Sequence, residues 1–257
     1  MPGFDMKVPT SARVWNYWVG GKDNFAADRE AGEQILEAMP TLRAIAQMSR
    51  RFLLDVVQDL AAERGIRQFL DIGTGLPTAD NTHDVAQRAA PDAKIVYADY
   101  DPVVLTHAKA LLTSTPEGKT DYIQADVRDP EVILSAAQRT LDFSEPVAVI
   151  LIFVMHFVPD AEGPYEVVRQ LMEPLPSGSY LVMAHAASDI AADYMAAGAD
   201  AYNDRVTAHL TPRDHAGVSK FFDGLEMTGP GVVPLAQWFG APGDAGLQAY
   251  CGAGRKP

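Results

Sequence analysis

The stretch FLDIGTGLPTADNTHDVAQ, residues 69–87, decides the fold. It begins with apolar residues typical of a buried strand, passes through Asp71 into a Gly-x-Gly turn at Gly73 and Gly75, and continues as a predicted helix. In α/β folds, ligands bind beside such a turn, at the carboxyl ends of parallel strands. A Gly-x-Gly pair is equally compatible with a tight turn that binds nothing. Whether this turn marks a ligand-binding site therefore has to be judged from the rest of the chain.

Strands and helices alternate downstream of this turn. We predict strands at 67–72, 94–99, 120–125, 147–155 and 179–185, helices near 81–90, 102–113, 130–141, 163–174 and 188–201, and two last strands near 225–229 and 247–253. This alternation indicates right-handed crossovers and an α/β, Rossmann-like, doubly wound sheet of seven strands. The sheet is expected to be mostly parallel, with an antiparallel last strand.

Residues 1–64 are predicted to form a helical extension, and residues 65–257 the Rossmann-like domain. After a frayed lead-in over 1–10, helical spacing is present up to Val19, from 27 to 39 and from 42 to 64. Two glycines, Gly20 and Gly21, are expected to end the first of these helices.

Composition narrows the function classes. The 257 residues include 21 Lys+Arg and 34 Asp+Glu, a net charge of -13, which disfavours unaided binding to nucleic acid or anionic lipid. The single cysteine, Cys251, cannot build a disulfide framework or a cysteine metal site, and the apolar run 147–155 is shorter than the ~20 residues of a membrane span. We expect a cytoplasmic protein with a small-molecule substrate, no nucleic-acid or membrane partner and no bound metal.

Acidic residues follow the second and third strands. Asp99 lies 26 positions after Gly73, within the loose spacing of an acid that binds ribose hydroxyls, and Tyr100 is placed to cover an adenine. Asp126 can accept a hydrogen bond from the adenine amine, while the backbone N–H of Val127 contacts a ring nitrogen. Taken alone, Asp99 could instead cap the following helix, and Asp126 could be an ordinary acidic residue of a loop. The series of a turn and two acids in order favours a nucleoside ligand.

The residues after the Gly-x-Gly turn distinguish between two possible ligands, a dinucleotide and S-adenosylmethionine. A dinucleotide fingerprint requires a third glycine or alanine where this chain has Thr78, and the usual methyltransferase pattern requires a third glycine where it has Pro77. Proline lacks the N–H that a pyrophosphate cradle would use, whereas S-adenosylmethionine has no phosphate. Pro77 therefore favours S-adenosylmethionine and an S-adenosylmethionine-dependent methyltransferase. The alternative functions are an NAD(P)-dependent oxidoreductase and a non-catalytic S-adenosylmethionine-binding regulatory module.

Several longer segments carry a family resemblance. They are SARVWNYWVGGKDNFAADRE (11–30), DIGTGLPTADNTHDVAQ (71–87), YADYDPVVLTHAKALL (97–112) and FVMHFVPD (153–160). The chain resembles the actinobacterial S-adenosyl methyltransferase family, once classed as a domain of unknown function, among the class I methyltransferases. The resemblance implies a Rossmann-like fold and S-adenosylmethionine as cofactor, with S-adenosylhomocysteine as product. Tyr100 departs from the small polar residue typical of its position.

The resemblance also includes the N-terminal segment 13–25, which is rich in aromatic residues. We predict that it forms a lid over the cofactor, with Tyr17 and Lys22 among its contacts, although aromatic residues at helical spacing also pack on a sheet or form the interface of a homodimer.

The remaining candidates are polar residues at the predicted ligand-binding edge. Thr74 lies within the glycine turn, and Asn81 and His83 start the following helix, where they could meet the methionine half of the cofactor. His156 and His185 follow strands four and five, so either could take a proton from an acceptor. Packing or helix capping would explain each of these residues equally well. The acceptor itself is not identified by any motif.

Overall fold

The computed structural model of the protein describes residues 5–77, 80–111, 113–206 and 208–257. Thr78 and the first four residues of the predicted lead-in lie outside the described residues. The strands are β1 (Gln68–Ile72), β2 (Lys94–Asp99), β3 (Lys119–Gln124), β4 (Ala148–Ile152), β5 (Tyr180–Ala186), β6 (Glu226–Pro234) and β7 (Ala249–Arg255). They form one sheet in the order β3-β2-β1-β4-β5-β7-β6. The strands from β3 to β5 pair in parallel and β7 pairs antiparallel with both neighbours, which confirms the predicted fold.

Helices cover both faces of this sheet and extend before it. They are α1 (Ser11–Trp18), α2 (Ala26–Ala38), α3 (Leu42–Ala62), α4 (Thr82–Ala89), α5 (Pro102–Leu111), α6 (Pro130–Ala137), α7 (Pro164–Met172), α8 (Ala192–Asn203), α9 (His215–Ser219) and α10 (Leu235–Trp238). Among the described residues, no helix combines the length and the apolar character that crossing a membrane requires.

The strand predicted over 147–155 is shorter than expected. β4 ends at Ile152 because Phe153 adopts a left-handed conformation with φ 55°. The N–H of Phe153 still donates to the carbonyl oxygen of Ala184 on β5 at 2.9 Å, and a 3-10 turn follows at Met155–Phe157. The apolar run thus continues past the sheet, where its side chains form the wall of a cavity instead.

Alternation along β1 divides the core into two layers. Phe69 points into a cluster shared with Phe52 of α3, while Leu70 and Ile72 point into a second cluster shared with Leu171 of α7. A sheet buried on both faces needs apolar residues at successive positions, which explains the near-continuous apolar character of its strands.

The N-terminal helices have a smaller core of their own. Val14 and Trp18 of α1 pack with Ile35 of α2 and Tyr202 of α8. A buried ion pair joins α1 to α2: Nε of Arg13 donates to the carboxylate of Asp28 at 3.0 Å. That carboxylate also accepts hydrogen bonds from the backbone N–H groups of Thr10 and Phe25. The pair therefore fixes the position of α1 over the sheet edge.

We predict that Asp28→Ala lowers the free energy of unfolding by about 3–5 kcal/mol, because it leaves the buried Arg13 guanidinium without its counter-charge. The matched control is Asp59→Ala, which removes one partner of the exposed Arg64–Asp59 pair and should cost less than about 1 kcal/mol. Urea denaturation of the two variants measures the difference. Equal losses would show that water or another group compensates Arg13.

Candidate functional site

A cavity of about 1250 Å³, including its open mouth, lies at the carboxyl ends of β1, β2 and β4. Its floor is formed by the turn after β1, and its walls by residues of α1, α3 and α8 and by the segment after β4. The strand ends, the turn and the helices thus enclose a partly open space at the edge of the sheet where ligands bind in this class of fold.

The glycine turn brings backbone to the floor of the cavity. Gly73 and Gly75 have positive φ angles of 72° and 64°. A Cβ atom on Gly73 would lie 2.6 Å from Cγ2 of Val154, whereas one on Gly75 would meet no atom within 4 Å. Thr74 lies between them and its hydroxyl donates to the carbonyl oxygen of Gly75 at 3.2 Å. Position 73 thus requires glycine both for its positive φ angle and for its close contact with Val154, whereas position 75 requires it only for its positive φ angle.

Two buried carboxylates line the cavity at the ends of neighbouring strands. Asp99 accepts hydrogen bonds from the backbone N–H groups of Gly75 at 3.0 Å and Asp101 at 2.9 Å. Asp71 accepts from the hydroxyl of Thr82 at 2.6 Å. Burial raises the pKa of Asp71 and the pKa of Asp99 to about 6 each. Both side chains are therefore mainly ionised at pH 7 and become protonated under mildly acidic conditions.

Arg50 of α3 brings a positive charge to the same cavity. Its Nη2 donates to the backbone oxygen of Asp80 at 2.5 Å. Burial lowers its pKa, while the charge of Asp71 acts in the opposite direction. The site residues predicted from the sequence do not include Arg50 or Asp71. An arginine beside the apolar stripe of a helix gives no signal until the fold places that helix against the end of β1.

A second cavity of about 730 Å³, including its open mouth, adjoins the first and shares Gly73, Asp99 and Tyr100 with it. Asp126 and Val127 line this second cavity, and the Asp126 carboxylate accepts from the backbone N–H of Arg128 at 3.0 Å. The structure therefore brings together the predicted residues Gly73, Thr74, Gly75, Asp99, Tyr100, Asp126 and Val127 along one connected surface.

Four other predicted cofactor contacts line neither cavity. The backbone N–H of Asn81 donates to Asp84 at the start of α4. His83 is buried, with its Nδ1 2.8 Å from the hydroxyl of Tyr97, and burial lowers its pKa. Tyr17 donates to Glu33 on the outer side of α2, and Lys22 is exposed. Each of the first three residues has a local structural partner.

The two histidines differ in their surroundings. His185 is fully buried, its Nδ1 lies 2.8 Å from the carbonyl oxygen of Ala186, and its Nε2 lies 2.9 Å from Nη1 of Arg213. Burial lowers its pKa to about 3, and with both ring nitrogens engaged it has none to offer an acceptor. His156 lines the cavity, and its Nδ1 has no hydrogen-bond partner among the described residues. Burial lowers its pKa well below the usual value, so the ring is neutral at pH 7.

Fold and site together are those of a Rossmann-like nucleoside-binding protein. A family model described as S-adenosyl methyltransferase matches residues 2–257. The chain therefore belongs to the S-adenosyl methyltransferase family, and it is an enzyme that transfers a methyl group from S-adenosylmethionine. The comparison with curated proteins gave no significant match.

Solved structures support this assignment. A DUF574 family protein from Streptomyces avermitilis is 42% identical, with a TM-score of 0.93 over 98% of this chain and 99% of that one. A methyltransferase candidate from Thermobifida fusca is 38% identical, with a TM-score of 0.90 over 99% and 97% of the two chains. The plantazolicin methyltransferase BpumL, solved with S-adenosylhomocysteine and a triazolic desmethylPZN analog, shares the fold at 11% identity, with a TM-score of 0.52 over 96% of each chain.

We predict that Gly73→Ala destabilises the protein more than Gly75→Ala does. Both substitutions place a Cβ atom on a left-handed residue, at a cost of about 1–2 kcal/mol. Only the first also drives that atom into Val154, which adds a further ~1–3 kcal/mol of overpacking. Urea denaturation of both variants measures the difference. Equal destabilisation would mean that the segment after β4 moves aside freely.

Proposed function

We propose that the buried Asp99 carboxylate binds the ribose hydroxyls of S-adenosylmethionine, with the adenine between Tyr100 and the Asp126–Val127 segment. The observation that carries the proposal is a buried carboxylate that lines both cavities at the end of β2. Its two backbone donors leave further lone pairs for the hydroxyl groups of a sugar. Tyr100 lines both cavities and is 52% exposed, so its ring is accessible to an adenine.

The methionine part of the donor lies over the Gly73–Gly75 turn, between Arg50 and Asp71. A guanidinium suits the α-carboxylate of the donor, and a carboxylate suits its α-ammonium group. Both protein charges line the first cavity, where Arg50 and Asp71 interact electrostatically. Asn81, His83, Tyr17 and Lys22 have no part in this arrangement because they line neither cavity.

The same charges disfavour a dinucleotide. Asp71 and Asp99 are ionised at pH 7, and a pyrophosphate would add two negative charges next to them in a site of low dielectric constant. S-adenosylmethionine instead brings a sulfonium and an ammonium group. When bound, it supplies an electrophilic methyl group, and the protein chiefly has to orient the donor and acceptor and exclude water.

The acceptor is a small molecule that enters beside the segment after β4, where His156 is the one predicted base that lines the cavity.

Residues 1–64 act as the lid, since Ser11, Trp15 and Trp18 of α1 close one side of the cavity. We further propose that the enzyme works in the cytoplasm and does not use nucleic acid as its acceptor, in keeping with its net charge of -13. A homodimer is compatible with this arrangement.

We predict that the affinity for S-adenosylhomocysteine falls as the pH drops from 7.5 to 5. Above its pKa of about 6, Asp99 is ionised and accepts hydrogen bonds from the ribose, while below that value it becomes protonated. One pH unit below the pKa only about a tenth remains ionised, so affinity should fall by up to about tenfold. Isothermal titration calorimetry measures the profile. Asp99→Asn should bind more weakly at pH 7.5 and flatten the profile, leaving only the contribution of Asp71. An unchanged slope would contradict the ribose contact.

We predict that Arg50→Gln weakens S-adenosylhomocysteine binding by about tenfold or more, because a hydrogen bond to a charged group contributes ~1.5–3 kcal/mol. The matched ligand is 5′-methylthioadenosine, which lacks the amino-acid part and should bind both proteins equally. Asp99→Asn should weaken both ligands, since each contains the ribose. NAD is the negative control and should not bind. Tight NAD binding, or an equal effect of Arg50→Gln on both nucleosides, would overturn this placement of the donor.

A further inference from the structure

Six aromatic side chains form a closed ring of contacts along the wall of the cavity that α1, α8 and the segment after β4 supply. All six line the cavity, and each contacts the next. The centroid distances are 6.1 Å for Trp15–Trp18, 6.5 Å for Trp18–Tyr202, 6.0 Å for Tyr202–Phe157, 4.2 Å for Phe157–His156, 5.4 Å for His156–Phe153 and 5.0 Å for Phe153–Trp15. The ring is built from three separate parts of the chain: α1, α8 and the segment after β4.

Two features of the ring are costly for the fold alone. Phe153 reaches its position through a left-handed backbone, a conformation that is strained for any residue with a Cβ atom. His156 is 3% exposed, yet its Nδ1 has no hydrogen-bond partner among the described residues. Strain and unsatisfied buried polar atoms are concentrated at functional sites. Both are explained if a bound molecule packs against Phe153 and meets the imidazole of His156.

Charge around the ring limits which molecule this can be. Among the described residues, the charged groups that line the cavity are Arg50, Asp71 and Asp99, all at the end proposed for the donor. A charged acceptor would therefore find no counter-ion within the ring. A cationic acceptor would in addition meet the sulfonium of the donor across a region of low dielectric constant. Flat aromatic molecules, in contrast, pack well on the faces and edges of other rings.

We infer that this ring holds the methyl acceptor, and that the acceptor is a neutral, planar aromatic compound bearing a hydroxyl or amine group. The inference rests on the proposed position of the donor. The acceptor heteroatom forms a bond to the methyl carbon with its lone pair, and the electron pair of the carbon–sulfur bond passes to sulfur, leaving neutral S-adenosylhomocysteine. The proton of the methylated, positively charged acceptor passes to the neutral ring of His156 and then to water. A methylated hydroxyl group is an oxonium ion and a strong acid, so a weak base suffices, whereas a methylated aromatic amine is a weaker acid that can lose its proton to water after release.

The test uses the full-length protein saturated with S-adenosylhomocysteine and three probes: 2-naphthol, its saturated analogue decahydro-2-naphthol, and tetramethylammonium. Calorimetry should show saturable binding of 2-naphthol, about tenfold tighter than the saturated alcohol, because stacking adds to the apolar contact. Trp15→Leu should weaken 2-naphthol by about tenfold and should weaken S-adenosylhomocysteine by a clearly smaller factor, because Trp15 contacts the donor only as part of the lid. Trp15→Phe should retain most of the binding. The matched control is Trp238→Leu, since Trp238 packs edge-on against Phe52 at 4.8 Å outside the cavity.

Each unexpected result of these binding experiments would contradict a different part of the proposal. Equal affinity for the two alcohols, or no binding of either to the loaded protein, would overturn the aromatic acceptor while leaving the proposed donor site intact. Tighter binding of tetramethylammonium would reassign the ring as a cage for a cation, which aromatic faces can also attract. If Trp15→Leu weakens S-adenosylhomocysteine and not 2-naphthol, the ring belongs to the donor. Absence of S-adenosylhomocysteine binding to the unmodified protein would instead contradict the proposed function itself.

Discussion

Two carboxylates at the ends of adjacent strands, Asp71 and Asp99, are the constraint around which the site is organised. Burial raises the pKa of each to about 6, and keeping both ionised at neutral pH requires donors from several elements. The hydroxyl of Thr82 at the start of α4, the backbone N–H of Gly75 and the backbone N–H of Asp101 supply them. The left-handed glycine turn and the starts of α4 and α5 thus lie where their hydrogen-bond donors stabilise the two carboxylates.

This local excess of negative charge explains why the fold suits a methyl donor better than a dinucleotide. Rossmann-like turns often bind pyrophosphate through backbone N–H groups. Here, one N–H of the turn already donates to Asp99, and Pro77 has none to give. A ligand with ammonium and sulfonium groups compensates the carboxylates, while Arg50 balances the carboxylate that the ligand itself carries. The proposed site and the donor are therefore complementary in charge.

Local patterns were sufficient for the sheet and for placing the acids after β2 and β3 at its carboxyl edge, because both depend on residues close in sequence. The strand predicted over 94–99 has those bounds in the structure, and the acids after β2 and β3 follow from where strands end. The end of β4 was predicted too late, since the left-handed Phe153 has no signature in an apolar run. Arg50 and the aromatic ring were not predicted at all. Both arise from contacts between helices and strand ends far apart along the chain, which a one-dimensional pattern does not contain.

The ring also explains why the helical extension belongs to the enzyme rather than merely preceding it. Trp15 and Trp18 come from α1, and Tyr202 from α8, while the sheet itself supplies only the segment after β4. The core shared by α1, α2 and α8 and the buried Arg13–Asp28 pair hold these side chains at the mouth of the donor site. In the proposed arrangement, donor binding depends on the strand ends and on Arg50 of α3, whereas the shape of the acceptor chamber depends on α1, α8 and the segment after β4. Under this proposal, substitutions in α1 and α8 change the acceptor without removing the charged groups that hold the donor.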